Sequence, residues 1–200
     1  MKGLTLDDLL PLEEYAVRRR EFFDAHGRYL DRYRRVRIGP RLTLLFENRQ
    51  TLWFRLQDLL RVARLAEPTR VRHELHLYNR LLPGRDRLQA ALVVAASGEA
   101  RAVPWWERWQ RLRGDDLRLH VGPAHYPANL LTCRAEDRCI GAAHWVQFVL
   151  DTPGRRLLGD FGRPAWFAVT HPAYRHESAP LGNEVRQSLL DDLDLSDRDP

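Results

Sequence analysis

Glu74, His144 and His171 stand at positions where the hydrophobic pattern calls for apolar side chains. Two neutral imidazoles and one carboxylate are the donor set of a facial triad, which holds non-haem iron or another divalent metal and leaves coordination positions open. A buried carboxylate with no partner is costly, so Glu74 must be protonated, paired with an arginine, or bound to a cation. Arg49 and Arg61 are within reach of it, so the same residues also fit an internal polar network. The run His73-Glu74-Leu75-His76 is not the H-E-x-x-H of metalloproteases, because its histidines are three residues apart instead of four. It reads as an exposed helix face.

The elements that must position these residues follow from periodicity. Pro68 opens a helix in which Val71, Leu75, Tyr78 and Leu82 form one apolar stripe, with Glu74 inside the arc, before Pro83 and Gly84. His144 alternates onto the same strand face as Val146, Phe148 and Leu150, and His171 continues the face of Ala165, Phe167 and Val169. The two histidines meet only if their strands are antiparallel neighbours. Upstream, Leu12, Tyr15, Phe22, Tyr29, Tyr33 and Val36 mark a helix, or two helices broken near Gly27. Leu42, Leu44 and Phe46 alternate as a strand, Asn48 caps the next helix, and the wheel of that helix turns Gln57 and Arg61 away from the core. Residues 88–96 form a central strand covered on both sides, and Trp105, Trp106 and Trp109 lie at helical spacing after Pro104. A half-exposed strand over Leu117–Val121, a hairpin pair around Leu130 and Ala143–Leu150, and a final helix over Pro180–Leu193 complete the reading.

The chain has 200 residues, enough for one domain with a sizeable core. Its longest apolar run is too short to span a bilayer, which points to the cytoplasm. The net charge of +5 is carried almost wholly by arginine, since Lys2 is the only lysine, and this skew reflects a G+C-rich coding sequence more than phosphate binding. Basic residues crowd the head, from Arg18 to Arg41, and acidic ones the tail, from Asp191 to Asp199, so the two ends are set to attract each other. Cys133 and Cys139 match no common zinc spacing and read as reduced thiols.

The order of short motifs resembles a family. Phe46-Glu47-Asn48-Arg49-x-Thr51, Gln57-Asp58-x-Leu60-Arg61, Glu74-x-x-x-Tyr78-Asn79-x-Leu81-Leu82-Pro83, His144 and His171-Pro172-x-Tyr174 resemble a bacterial domain family of unknown function, from about Leu9 to Leu193. Genes of that family lie beside those of rubrerythrin-like proteins and of heterodisulfide-reductase-like iron-sulfur proteins, so the resemblance implies a redox or peroxide-stress setting. Two departures stand out: Ala63 replaces an acidic residue, and the pair Cys133 and Cys139 is not a family feature.

These readings converge on an α+β single domain: an arginine-rich helical arm over residues 1–41, a core over 42–193 and an acidic tail over 194–200. The sheet is expected to be mixed but mostly antiparallel, of five or six strands, with helices largely on one face. Three functions are open. The first is a cytosolic accessory protein whose arginine-rich surface docks an acidic rubrerythrin-like or iron-sulfur partner, with Glu74, Arg49, Arg61, His144 and His171 as an internal polar network and Glu47, Tyr78, Asn79 and Tyr174 as further ligand or polar-network residues. The second is a small metal-dependent enzyme or metal carrier whose ligands are Glu74, His144 and His171. The third is a nucleic-acid binder using Arg18 to Arg41.

Overall fold

The computed structural model describes residues 1–94, 112–131 and 143–197. The tryptophans 105, 106 and 109 and both cysteines, singled out above, lie outside the described residues. Helix α1 (Leu12–Tyr29) runs into a π-helical turn (Leu30–Arg34) and strand β1 (Arg35–Ile38). There follow β2 (Leu42–Phe46), α2 (Arg49–Val62), α3 (Pro68–Asn79), β3 (Arg87–Val94), β4 (Leu117–Val121), β5 (Ala124–Leu130) and β6 (Ala143–Val149). Helix α4 (Thr152–Gly159), β7 (Ala165–His171), β8 (Tyr174–Glu177) and α5 (Asn183–Asp197) close the chain. No helix among the described residues is long and apolar enough to cross a membrane.

The eight strands of the described residues form one antiparallel sheet in the order β1-β2-β3-β6-β5-β4-β7-β8. The α+β class is as the periodicity indicates, with eight strands in place of five or six. The sheet curls until its edges nearly meet. The Tyr174 hydroxyl of β8 donates to the Ile38 carbonyl of β1 at 2.6 Å and accepts from the Arg41 amide at 3.1 Å. Gly39, at φ 61°, turns the β1–β2 hairpin directly beneath that hydroxyl, where a Cβ would lie 2.6 Å from it.

Alternation along each strand sends one face inward. Ile38, Leu44, Leu92, Leu119, Val146 and Val169 fill the interior together with the cluster Phe46, Phe148 and Phe167, whose ring centroids are 5.0–6.5 Å apart. One end of this near-barrel is closed by Leu158 of α4 and Leu189 and Leu193 of α5. There Arg186 donates to the carbonyls of Leu157, Leu158 and Asp160 at the C-terminal end of α4.

A second layer covers part of the outer face. Leu52, Leu56 and Leu60 of α2 pack with Val71, Leu75 and Tyr78 of α3 and with Leu4 of the N-terminal segment. Leu81 reaches the outward-facing Ala91 and Trp145. Of the two alternatives for the N-terminal stripe, one helix or two broken at Gly27, α1 is the unbroken one, and the irregularity falls in the π-turn. Val36 likewise belongs to β1 and not to a helix. Gln57, turned outward on the helical wheel, is fully buried, because its amide donates to the Leu10 carbonyl at 3.0 Å and accepts from the Leu10 amide at 3.1 Å.

Candidate functional site

The densest polar constellation sits where β2 passes into α2. Asn48 leaves the sheet in extended conformation, and its side-chain oxygen accepts from the Thr51 amide at 3.0 Å, which caps α2. The Thr51 hydroxyl donates to Glu47 Oε2 at 2.5 Å. Arg55, one turn further on, places Nε 2.8 Å from Glu47 Oε1. That Nε–H is not aimed at the oxygen, so the contact is Coulombic and not a hydrogen bond. Burial raises the Glu47 pKa, against the opposing pull of Arg55 and Thr51.

Beside it lies an ion pair that joins the two ends of the chain. Arg34, delivered by the π-turn, and Asp192, on α5, are 2% and 3% exposed and meet through both guanidinium nitrogens. The head-to-tail attraction read from the charge distribution thus exists, condensed into one buried contact. Burial raises the Asp192 pKa and Arg34 opposes the rise. Tyr29 ties the two constellations together, since its hydroxyl accepts from Arg34 Nε at 3.1 Å and from Asn48 Nδ2 at 2.8 Å. Such π-turns are rare and recur at functional sites. Here the turn presents Tyr29 and Tyr33, 5.4 Å apart, to a groove along α5 and sends Arg34 inward.

Sequence reasoning anticipated Glu47 but missed Arg34, Asp192 and Tyr29. Asp192 carried the same signal as Glu74: with Val185 and Leu189 it falls on the buried arc of the last helix. Chemically the constellation is a sealed strut. Its carboxylates are covered by arginine, hydroxyl and amide, which leaves no open coordination position and no nucleophile facing a cavity.

The three metal-ligand candidates are distributed differently. His144 pairs with Leu92, and His171 with Tyr174, both on the inner face and at the same end of the near-barrel. Strands β5 and β4 separate β6 from β7, so they are antiparallel in direction but not neighbours. His171 is buried, and its Nδ1 accepts from the Ala173 amide at 3.2 Å. Glu74 is half-buried on α3, in the layer outside the sheet. The histidines therefore share the inner face at one end of the sheet with two strands between them, and Glu74 lies outside the sheet. Among the described residues no group of three His, Cys, Asp or Glu side chains could hold a metal ion.

The remaining motif residues act as clamps. Arg49 pairs with Asp8 at 2.6 Å, and this contact, ahead of the Thr5 amide bond, holds the Asp8 carboxyl below the usual range. Arg61 and Arg19 both pair with Asp58, at 3.1 and 2.8 Å. Asn79 accepts from the Leu4 amide at 2.7 Å and donates to the Leu4 carbonyl at 2.9 Å, as a neighbouring strand would. Tyr78 is buried, which raises its hydroxyl pKa, and Tyr174 closes the sheet.

Exposed charge is distributed unevenly. The outward face of α1 alternates Glu13, Glu14, Glu21 and Asp24 with Arg18, Arg20 and Arg28. Arg32 and Arg35, just beyond it, pair with Glu184 and Asp31. On α3 the outward stripe carries Arg72, His73, His76 and Arg80, all exposed, with Arg64 at the preceding corner. Arg64, Arg72 and Arg80 have no carboxylate partner among the described residues.

A comparison with curated proteins found no match. The crystal structure of a novel protein of unknown function from Burkholderia pseudomallei K96243 is similar. It is 28% identical with a TM-score of 0.84, over 96% of this chain and 100% of that one. Over residues 3–193 the sequence matches the family described as protein of unknown function DUF3501, and the chain belongs to that family.

Proposed function

We propose that the protein is a cytosolic accessory protein that docks an acidic partner, of the rubrerythrin-like or iron-sulfur type, through the outward stripe of α3. The supporting observation is the exposed, uncompensated row Arg64, Arg72 and Arg80, flanked by His73 and His76, on a molecule in which Arg19, Arg32, Arg34 and Arg35 of the N-terminal cluster pair with carboxylates of the same chain. Exposed charge of one sign contributes orientation and association rate, and binding through it weakens with salt. In a pull-down at low ionic strength the wild type should retain one of these two partners, and Arg72→Glu/Arg80→Glu should lose at least tenfold in retention. Arg20→Glu/Arg28→Glu on α1 should retain it normally. Failure to retain either partner at low salt, or equal retention by the α3 variant, defeats this reading.

A second reading rests on the common placement of His144 and His171 on the inner face at one end of the sheet. These imidazoles would hold iron or another divalent metal, with the third donor supplied from somewhere other than Glu74. Elemental analysis of protein purified without chelator should then show near-stoichiometric metal that His144→Ala loses and Glu74→Gln keeps. Metal-free protein that takes up no Fe(II) rejects it.

A further inference from the structure

We infer that the groove between the π-turn and α5 is a binding site for an extended aliphatic di- or polyamine. The groove has a volume of about 430 Å³, the size of a small-molecule site, and its walls are the rings of Tyr29, Tyr33 and Phe161 opposite Glu184, Ser188 and Asp191. No Lys, Arg or His lines it. One face of the Phe161 ring is covered by the Arg186 guanidinium, 5.1 Å from its centre, and the ring remains 40% exposed at the groove.

The chemistry is shown by the protein's own side chain. The Arg32 guanidinium lies 5.1 Å from the centre of the Tyr33 ring and 2.5 Å from Glu184, so a cation between an aromatic face and that carboxylate is favoured here. Arg32 and Glu184 are both exposed, so a ligand ammonium can take the place of the guanidinium at little cost. The second carboxylate, Asp191, accepts only from the Gln187 amide at 2.8 Å and pairs with no cation among the described residues.

Glu184 and Asp191 are seven residues apart on one face of α5, which separates them by about 10.5 Å along the axis. A nine-bond chain such as spermidine or 1,8-diaminooctane, extended, places its terminal nitrogens about 11 Å apart. Its methylenes would lie along Tyr29, Tyr33 and Phe161. Two carboxylates with no free cation in the lining disfavour an anionic ligand, and a neutral one would leave Asp191 unbalanced.

Calorimetric titration with spermidine tests the assignment. Wild type should bind one equivalent saturably, and Asp191→Asn and Tyr33→Leu should each weaken binding at least tenfold. Both positions are outside the packed interior, and circular dichroism checks that the variants fold; Glu184→Gln is a further variant with the same expected loss. 1,8-Diaminooctane should bind and 1,8-octanediol, of equal span and no charge, should not. Absence of saturable binding of either amine, equal binding by Asp191→Asn, or equal binding of the diol overturns the proposal.

Discussion

Replacing Asp192 by Asn keeps the shape of the side chain and removes the charge that balances Arg34. Arg34 is 2% exposed, and its other acceptors are the Tyr29 hydroxyl at 3.1 Å and the Ser188 carbonyl at 3.4 Å, both neutral. A buried guanidinium left with neutral partners is destabilising by about 3–5 kcal/mol. With a urea m-value of about 2–3 kcal/mol/M, the midpoint should fall by roughly 1–2 M at unchanged m. The double variant Arg34→Met/Asp192→Leu removes both charges and should recover to within about 1–2 kcal/mol of wild type, because apolar replacement of a whole buried pair is often neutral. The coupling energy from the cycle of wild type, Arg34→Met, Asp192→Leu and the double variant should therefore be at least about 2 kcal/mol. Urea unfolding followed by far-ultraviolet circular dichroism at pH 7 measures all four species. A single-variant cost below about 1 kcal/mol, or strictly additive single costs, would refute the view that this pair locks the last helix to the N-terminal arm.

Three further outcomes are expected. Tyr174→Phe deletes the hydroxyl that bridges β8 and β1 and should cost about 1–3 kcal/mol because the Ile38 carbonyl loses its donor, with faster amide exchange at Arg41, which loses its acceptor; unchanged exchange at Arg41 would show that the edges close by other means. Asn79→Ala frees both backbone bonds of Leu4 and should make the first ten or so residues sensitive to limited proteolysis at a stability cost of about 1–3 kcal/mol. Burial, then the nearby charges of Arg55 and Arg35, lowers the His26 pKa to about 4. Its unfolded form therefore binds a proton that the folded form refuses, and stability should drop as pH falls from about 6.5 towards 4. The ring stacks on Phe54 at 4.0 Å and is only partly buried, so solvent screening reduces the effect to about 1–2 kcal/mol; His26→Phe should lose that much of the acid dependence, and an unaltered pH profile would count against it.

Local signals were legible because each is written within a few residues. The alternation Leu42, Leu44, Phe46 gives β2, Asn48 caps α2, and Pro68 opens α3. His73 and His76 fall on the exposed face of α3, as their spacing indicates. What failed to read depends on partners far along the chain. Gln57 looks solvent-facing on a helical wheel and is buried because Leu10, 47 residues earlier, lies across it. The π-turn has no pattern of its own; it is the adjustment by which α1 brings Tyr29 to Asn48 and Arg34 to Asp192. The histidines were placed on the correct strand faces, while the order that inserts β5 and β4 between them is a tertiary fact. Glu74 and Asp192 gave the same sequence signal, a carboxylate among apolar neighbours. Only the second is deeply buried, because α5 is packed on several sides and the outer helix α3 on one.

The internal charges also narrow where function can lie. Arg34, Asp192, Glu47 and Arg186 are all at most 3% exposed and face carboxylates, amides, hydroxyls or carbonyl oxygens of the same chain. A group so enclosed cannot meet a partner without local unfolding, and desolvation makes that opening expensive. The recognition proposed above uses exposed charges without partners among the described residues instead, cations along α3 and the Asp191 carboxylate on α5. Tyr29 stands between the strut and the groove, with its ring in the groove wall and its hydroxyl on Arg34 and Asn48. A ligand that fixes the ring therefore also fixes the cap of α2, the helix on which α3 is packed. If amine and partner binding are coupled through this route, each must change the other's affinity by the same factor. Equal spermidine affinity with and without saturating partner would show the two surfaces to be independent.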